Sequence, residues 1–462
     1  MERSKKLAEE GVGKLLFEFS IPAIVGMLVN SLYIIIDRIF IGRVVGAMAI
    51  SGVSLTFPIG ILIMGFGMLV GIGGAARISI KLGQHKKEDA EKILGNAFTL
   101  LIIVSLIVTF LGIMFMEPML RSFGASNNTI GYAKEFITII LAGAVLQNLG
   151  FGLNNIIRAE GNPKKAMTTM LIGCILNIIL DYIFIYVFNF GIKGAATATV
   201  ISQGFNTIWV LSYFSGKSSL LKLRRRNFKL EKDVVLSIFA IGMSPFAMQI
   251  AASAVNVILN KSLGVYGGDL AIGAFGIINS IATMILMPIF GINQGSQPII
   301  GFNYGAKKYE RVKRALKLAV VAATVIATVG TLIVFVFPVV LVKMFNKSDV
   351  SLTQITTHGI KIFMLMFPLV GFQIVSSNFF QAIGKAKISM FLALLRQVII
   401  LIPMLLILPS IFKLNGVWAA APISDFIASI LTAVFLSLEV KKLKEEKESL
   451  QSEDKQSKEC LE

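Results

Sequence analysis

Asp37 lies in a run that otherwise reads as membrane: residues 15–41 are long and apolar enough to span a bilayer, and the run carries Asn30-Ser31-Leu32-Tyr33-Ile34-Ile35-Ile36-Asp37-Arg38 near its end. An ionisable side chain there costs roughly 2.5–3.5 kcal/mol on insertion, so it faces protein or water and marks an ion or substrate path. Asp181 sits inside another apolar span, four residues after Asn177 and so on the same helical face. Carboxylate and carboxamide oxygens are hard ligands suited to a small cation. A desolvated carboxylate can hold a proton instead. Two membrane acids in one half of the chain point to ion-coupled transport.

The elements that must position them are membrane helices. The chain is 55% hydrophobic and 15% charged over 462 residues, with a mean hydropathy of +0.79, outside the range of globular proteins. A span needs about 20 apolar residues, and twelve segments qualify: 15–41, 50–80, 93–116, 132–157, 166–188, 194–216, 234–260, 270–300, 315–341, 355–381, 388–412 and 416–438. The alternating pattern of an outer-membrane barrel is absent. The expected fold is all-α, integral to the membrane.

The net charge of +18 is topological rather than a nucleic-acid footprint, because basic residues crowd into alternate connections. They sit at Arg3 to Lys14, Lys81 to Lys92, Arg158 to Lys165, Lys217 to Lys232, Lys307 to Arg314 and in the tail, while the opposite loops hold one or two each. This positive-inside pattern predicts a multi-pass protein of the plasma membrane with both termini cytoplasmic, and the 217–232 cluster is also placed to meet anionic lipid. No cleaved signal is expected. Cys174, in a span, and Cys460, in the tail, are too far apart to pair.

Shifting the chain by 222 or 223 residues aligns its two halves: Ser20-Ile21-Pro22 falls on Met243-Ser244-Pro245, Asp37 on Asn260, Gly83 on Gly305, Met167 on Met390, Gly194 on Gly416 and Ile201-Ser202 on Ile423-Ser424. Agreement along a whole half marks a duplication. Six spans return the chain to its starting side, so the two six-helix lobes are expected to share one orientation, related by a pseudo-two-fold axis along the membrane normal. The expected organisation is a cytoplasmic N-terminus (1–14), an N-lobe (15–216), a cytoplasmic linker (217–233), a C-lobe (234–440) and a cytoplasmic tail (441–462).

Twelve spans in two repeats, the Ser-Ile-Pro opening, Asp37 near the end of the first span, Asn177 and Asp181 in the fifth, and Arg158-Ala159-Glu160-Gly161-Asn162-Pro163 together resemble the multidrug and toxic compound extrusion (MATE) family over about residues 10–440, in particular its bacterial DinF-like and MepA-like branches. The resemblance implies a two-lobe antiporter that exports cationic or amphipathic drugs by alternating access against sodium or proton entry. By position it implies an N-lobe cation site of Asp37, Asn177, Asp181 and Thr199 and a bend at Pro22; Glu160, in the cytoplasmic 4–5 loop, is either structural or part of an inner gate, and the resemblance leans toward the gate. A C-lobe cation site of the kind that resemblance offers in other branches would lack its acids here, since Asn260 replaces Asp37.

Depth supports the N-lobe set independently. At 1.5 Å per residue, Asp37, Asp181 and Thr199 lie roughly 6, 10 and 8 Å inside the same membrane face. Sodium at Asp37, Asn177 and Asp181, or a proton, are both compatible with these ligands. The bland alternative has each acid bonding to neighbours within its lobe. Pro22 removes a helix donor and opens a bend, structural or functional. Arg396 and Asp425 in the C-lobe form either a structural ion pair or a substrate contact. Asn30, Tyr33, Asn154, Gln249, Asn256, Asn260 and Met287 are candidate lining residues of a substrate cavity.

Enzymatic chemistry finds no support: His85 and His358 lie in or near loops and no Cys/His set has metal spacing. No cofactor is expected beyond the coupling ion, and the partners are small cationic or amphipathic molecules and membrane lipid, with a monomeric protein and no nucleic acid. Two rivals remain: a flippase for lipid-linked saccharides, which would want several deep Arg/Lys for a diphosphate where only Arg396 is present, and a non-transport membrane scaffold.

Overall fold

The computed structural model describes residues 2–44, 47–345 and 350–459; Cys460 lies outside them. Every regular element among the described residues is helical, as apolar segments in lipid require, since a helix satisfies its own backbone. The first half comprises α1 (Glu2–Glu9), α2 (Val12–Val44), α3 (Ala47–Gly83), α4 (Lys87–Met114), α5 (Met116–Ser122), α6 (Ile130–Ala142), α7 (Ala144–Ala159), α8 (Pro163–Asp181) and α9 (Gly191–Ser215). The second comprises α10 (Lys232–Gly305), α11 (Tyr309–Val336), α12 (Pro338–Lys343), α13 (Val350–Phe363), α14 (Phe367–Ala382), α15 (Ala386–Leu394) and α16 (Ile402–Glu459).

Ten spans follow from length and apolarity once each bent pair, α6/α7 and α13/α14, is counted as one. Lys413, at φ 53°, divides the long apolar stretch from Ala386 into two, and α9 has 25 residues, enough to cross. The ten already count α10 as two, divided at Gly268, which has φ 65°. Twelve spans result.

The expected fourth and tenth spans are not single rods: they bend by 53° and 52°. Gly143 sits at the first bend, where an added Cβ would lie 2.5 Å from Val200, so the bend brings the backbone against α9. Pro368 lies in the first turn of α14 and cannot donate to a preceding turn. Two further departures from α-helix were not foreseen: π-helical turns at Tyr182–Val187, directly after Asp181, and at Leu395–Leu401, which contains Arg396.

Helix faces follow side-chain size. On α11, Ala315, Ala319, Ala323 and Ala327 recur every four residues and are buried, whereas Val321, Val325 and Val329 are exposed. The small stripe admits α14 so closely that a Cβ on Gly371 would stand 2.5 Å from the Ala323 carbonyl. The exposed valines are the expected lipid face.

The described residues form two compact units. The first holds 2–4, 21–82 and 86–253, and the second holds 5–20, 83–85 and the described residues from 254 to 459. α2 therefore divides at Ser20, two residues before Pro22, and α10 at Ser253. Inside the first unit α3 meets the early part of α10 with no room for side chains: a Cβ on Gly73 would fall 2.2 Å from the Ile238 carbonyl, and one on Gly242 would fall 1.7 Å from that of Leu69. Inside the second unit the late part of α10 meets the start of α2 in the repeat-equivalent manner, a Cβ on Gly295 falling 2.6 Å from Ser20 Oγ. A shift of 222 residues takes Gly73 to Gly295 and Ser20 to Gly242.

Candidate functional site

The oxygen-rich cluster of the first unit is assembled from α2, α8 and α9. Asn177 and Asp181 stand one turn apart on α8 and are buried, Asp181 completely. Asn177 Nδ2 donates to Thr199 Oγ1 at 3.4 Å, and Thr199 Oγ1 in turn donates to the Ala195 carbonyl at 3.0 Å. Asp37, half-buried on α2, is near enough for its carboxylate charge to act on that of Asp181. Among the described residues, both carboxylate oxygens of Asp181 and the carboxamide oxygen of Asn177 accept no hydrogen bond.

Three buried acceptors on two adjacent turns are chemically demanding. A buried ionised carboxylate without a donor costs several kcal/mol, and oxygens so arranged are chemically able to take a proton or share a small cation. The π-helical turn that starts at Tyr182 widens the backbone immediately beyond Asp181, and such turns recur at functional positions. Sequence periodicity carries no mark of it.

The remaining candidates are distributed. Asn154 is buried on α7 with its carboxamide oxygen unbonded. Gln249 is half-buried and belongs to the first unit, whereas Asn256 and Asn260, both exposed, and half-buried Met287 belong to the second. Asn30 is exposed on α2; Tyr33 is on the same helix, and its side chain lies outside the described ones. Pro22 is buried within an α2 that runs on helically through it.

Arg396 and Asp425 form an ion pair, Arg396 Nε to Asp425 Oδ1 at 2.5 Å, and Ser424 Oγ donates to the Arg396 carbonyl at 2.7 Å. Glu160 is fully buried and accepts from the Tyr213 hydroxyl, from Ser219 Oγ at 2.9 Å and from the Leu221 N–H at 3.3 Å. These partners of Glu160 lie more than fifty residues away, beyond the reach of local sequence patterns.

Comparison with known proteins decides the family. The MatE family model matches residues 22–183 and again 245–407, the two matches beginning at Pro22 and Pro245, 223 residues apart. The chain belongs to the MatE family. This MatE chain is 29% identical over 432 residues to the multidrug export protein MepA of Staphylococcus saprophyticus, covering 93% of the chain and 94% of the relative. It is 29% identical over 429 residues to MepA of Staphylococcus aureus, covering 92% and 94%. Among solved structures it resembles a multidrug resistance MATE family transporter in its outward-facing conformation, with a TM-score of 0.90, 25% identity, and 95% and 98% of the two chains covered. A Pyrococcus furiosus transporter of the MOP superfamily, described as having a binding pocket of reversed polarity, matches with the same TM-score, identity and coverage. The fold is thus the all-helical, two-lobe, twelve-span fold of the MATE transporters, in a multi-pass membrane protein of a multidrug efflux family whose substrates are small molecules.

Proposed function

We propose that this MatE protein is a cation-coupled antiporter of the plasma membrane, exporting cationic and amphipathic organic compounds by alternating access with both termini in the cytoplasm. The observation that carries the reading is the set of three unbonded buried oxygens on Asn177 and Asp181, next to Asp37. An entering proton or sodium ion neutralises that cluster; its departure returns the charge. Releasing or binding the ion changes which groups Asp37 bonds to, and Pro22, where the helix ladder lacks a donor, is the place for α2 to bend in response. One charge moving through 100 mV releases roughly 2.3 kcal/mol, enough for more than a tenfold gradient of exported compound.

The positive-inside distribution supports the orientation. A flippase for lipid-linked saccharides is disfavoured because Arg396, the arginine deep in a C-lobe span, is engaged by Asp425. The test is transport of a cationic dye in proteoliposomes under an imposed proton gradient and, separately, a sodium gradient. One gradient is expected to drive dye movement and Asp37→Asn to abolish it at equal protein incorporation. Dye movement indifferent to both gradients, or undiminished in Asp37→Asn, would refute the coupling.

A further inference from the structure

The segment joining the two halves is the most basic connection in the chain, with Lys217, Lys222, Arg224, Arg225, Arg226, Lys229 and Lys232. A connection of that composition is expected to be a solvated tether. Here it is a strap fixed lengthwise along α4. Glu91, buried on α4, accepts from the Lys222 N–H at 3.3 Å and pairs with Arg224 Nε at 2.9 Å. Asn96, also buried, donates to the Asn227 and Lys229 carbonyls, each at 3.2 Å, and accepts from the Glu231 N–H at 2.8 Å. Thr99 Oγ1 donates to the Phe228 carbonyl at 3.0 Å, and the Phe228 and Phe98 rings lie 5.1 Å apart. Gly95 makes this approach feasible, since a Cβ there would stand 2.4 Å from the Asn227 carbonyl. At the other end Glu160 holds Ser219 and Leu221.

From Glu91 to Thr99 the strap follows α4 for eight residues, about 12 Å along a membrane-spanning helix. In the proposed orientation that end of α4 is the cytoplasmic one, so the strap is held against the helix where it leaves the inner leaflet. Arg225, Arg226 and Lys229 are exposed there, and among the described residues none has an acidic partner; Glu91 and Glu160 are turned inward and already used, and exposed Glu231 pairs with Lys92 at 3.6 Å. Leu230 is exposed beside them. The positive-inside rule needs only the charge; it does not need the backbone to be bonded down with three cations presented outward from one short segment.

We infer that Arg225, Arg226 and Lys229 form a docking surface for anionic phospholipid headgroups of the inner leaflet. The strap presents the cations in a fixed array, so binding does not have to order a floppy loop. The inference rests on the proposed orientation and not on the coupling ion, so it can fail while ion-driven dye transport stands.

The experiment titrates the purified full-length protein in detergent with phosphatidylglycerol or phosphatidylcholine and counts retained lipid by native mass spectrometry. The wild-type chain is expected to prefer phosphatidylglycerol, with a preference that falls as salt rises. Each basic residue near an anionic surface contributes roughly fivefold, so Arg225→Gln/Arg226→Gln/Lys229→Gln should weaken phosphatidylglycerol binding by about a hundredfold at low salt. Lys441→Gln/Lys442→Gln/Lys444→Gln removes the same charge from the tail and should leave binding unchanged. Should the strap variant fail to fold, the wild-type salt series and the charge-retaining Arg225→Lys/Arg226→Lys variant, expected to bind normally, decide the matter. Equal loss in strap and tail variants, a wild-type chain indifferent to headgroup charge, or full displacement of the lipid by inorganic phosphate would each overturn the inference.

Discussion

Among the described residues one buried aspartate stands in each half of the molecule, and the two are treated oppositely. In the first half Asp181 has no donor for either oxygen among the described residues, and the charge that acts on it is that of another acid, Asp37. In the second half Asp425 is gripped by Arg396. A carboxylate with a built-in guanidinium has no need of an external cation, whereas one without it has no such counter-charge supplied from within. The repeat makes the contrast sharper. At shifts of 222 and 223 the mates of Asn177 are Ile399 and Ile400, those of Asp181 are Pro403 and Met404, and those of Thr199 are Ala421 and Pro422. None brings an oxygen-bearing side chain. Conversely, Arg396 and Asp425 stand where the first half has Gly173 and Gln203. One duplicated frame thus holds an acid with no hydrogen-bond donor among the described residues on one side and a closed ion pair on the other.

The sharpest way to break this comparison is to neutralise the two acids separately. Asp181→Asn should remove gradient-driven dye transport altogether, a loss of tenfold or more measured in proteoliposomes, while incorporation stays normal. Asp425→Asn should retain coupling at whatever protein level survives; the reverse outcome would exchange the roles assigned to the two halves. Next in size, Arg396→Met leaves Asp425 buried and alone and should cost about 3–5 kcal/mol, whereas Arg396→Met/Asp425→Leu should recover most of the lost thermal stability. A double variant that is stable yet inactive would instead assign the pair to substrate handling.

The glycine crossings should respond alike in both halves. Gly73→Val and Gly295→Val each force a side chain against tightly packed backbone, and each should cost about 1–3 kcal/mol in thermal unfolding. A large loss for one and none for the other would show that the crossings are not equivalent.

The smallest effect is expected at a corner that only the first half possesses. Glu117 accepts from Lys134 at 2.6 Å and pairs with Arg121 at 2.9 Å, and these two cations hold its carboxyl below the ordinary range. With the folded value depressed, the stabilisation is present above the unfolded value and is lost as pH falls through the folded one. Because the group is exposed, Glu117→Gln should barely move the unfolding temperature at neutral pH, and should erase only a slight acid-side decline seen in the parent. Val339 and Val340 occupy the corresponding place in the second half, which should have no such component.

Hydropathy made the spans legible, and the matched landmarks made the duplication legible; the family model's paired matches starting at Pro22 and Pro245 agree with that register. Asn177 and Asp181 could be placed on one face because the i, i+4 rule is local. Pro368 was a readable signal for the break before α14, yet hydropathy ran smoothly across it and concealed the bend. The π-helical turns at Tyr182–Val187 and Leu395–Leu401 left no trace, since a shift from i+4 to i+5 bonding changes no residue type. The grip of Asn96 and Thr99 on the strap was equally hidden: each bond joins residues about 130 apart, and a polar residue in a span reads the same whether its partner is a helix or a loop.

That grip also bears on how the polypeptide meets a protease. Seven trypsin targets fall from Lys217 to Lys232, the most numerous such set between the spans, on a stretch that mostly precedes the next membrane helix. Cleavage requires the backbone to be drawn out into an extended, unencumbered form. Here the carbonyls of Asn227, Phe228 and Lys229 and the N–H groups of Leu221, Lys222 and Glu231 are already bonded to the first unit. The richest cutting site in the chain is therefore shielded, and digestion there should report local unfolding of the strap rather than its surface exposure.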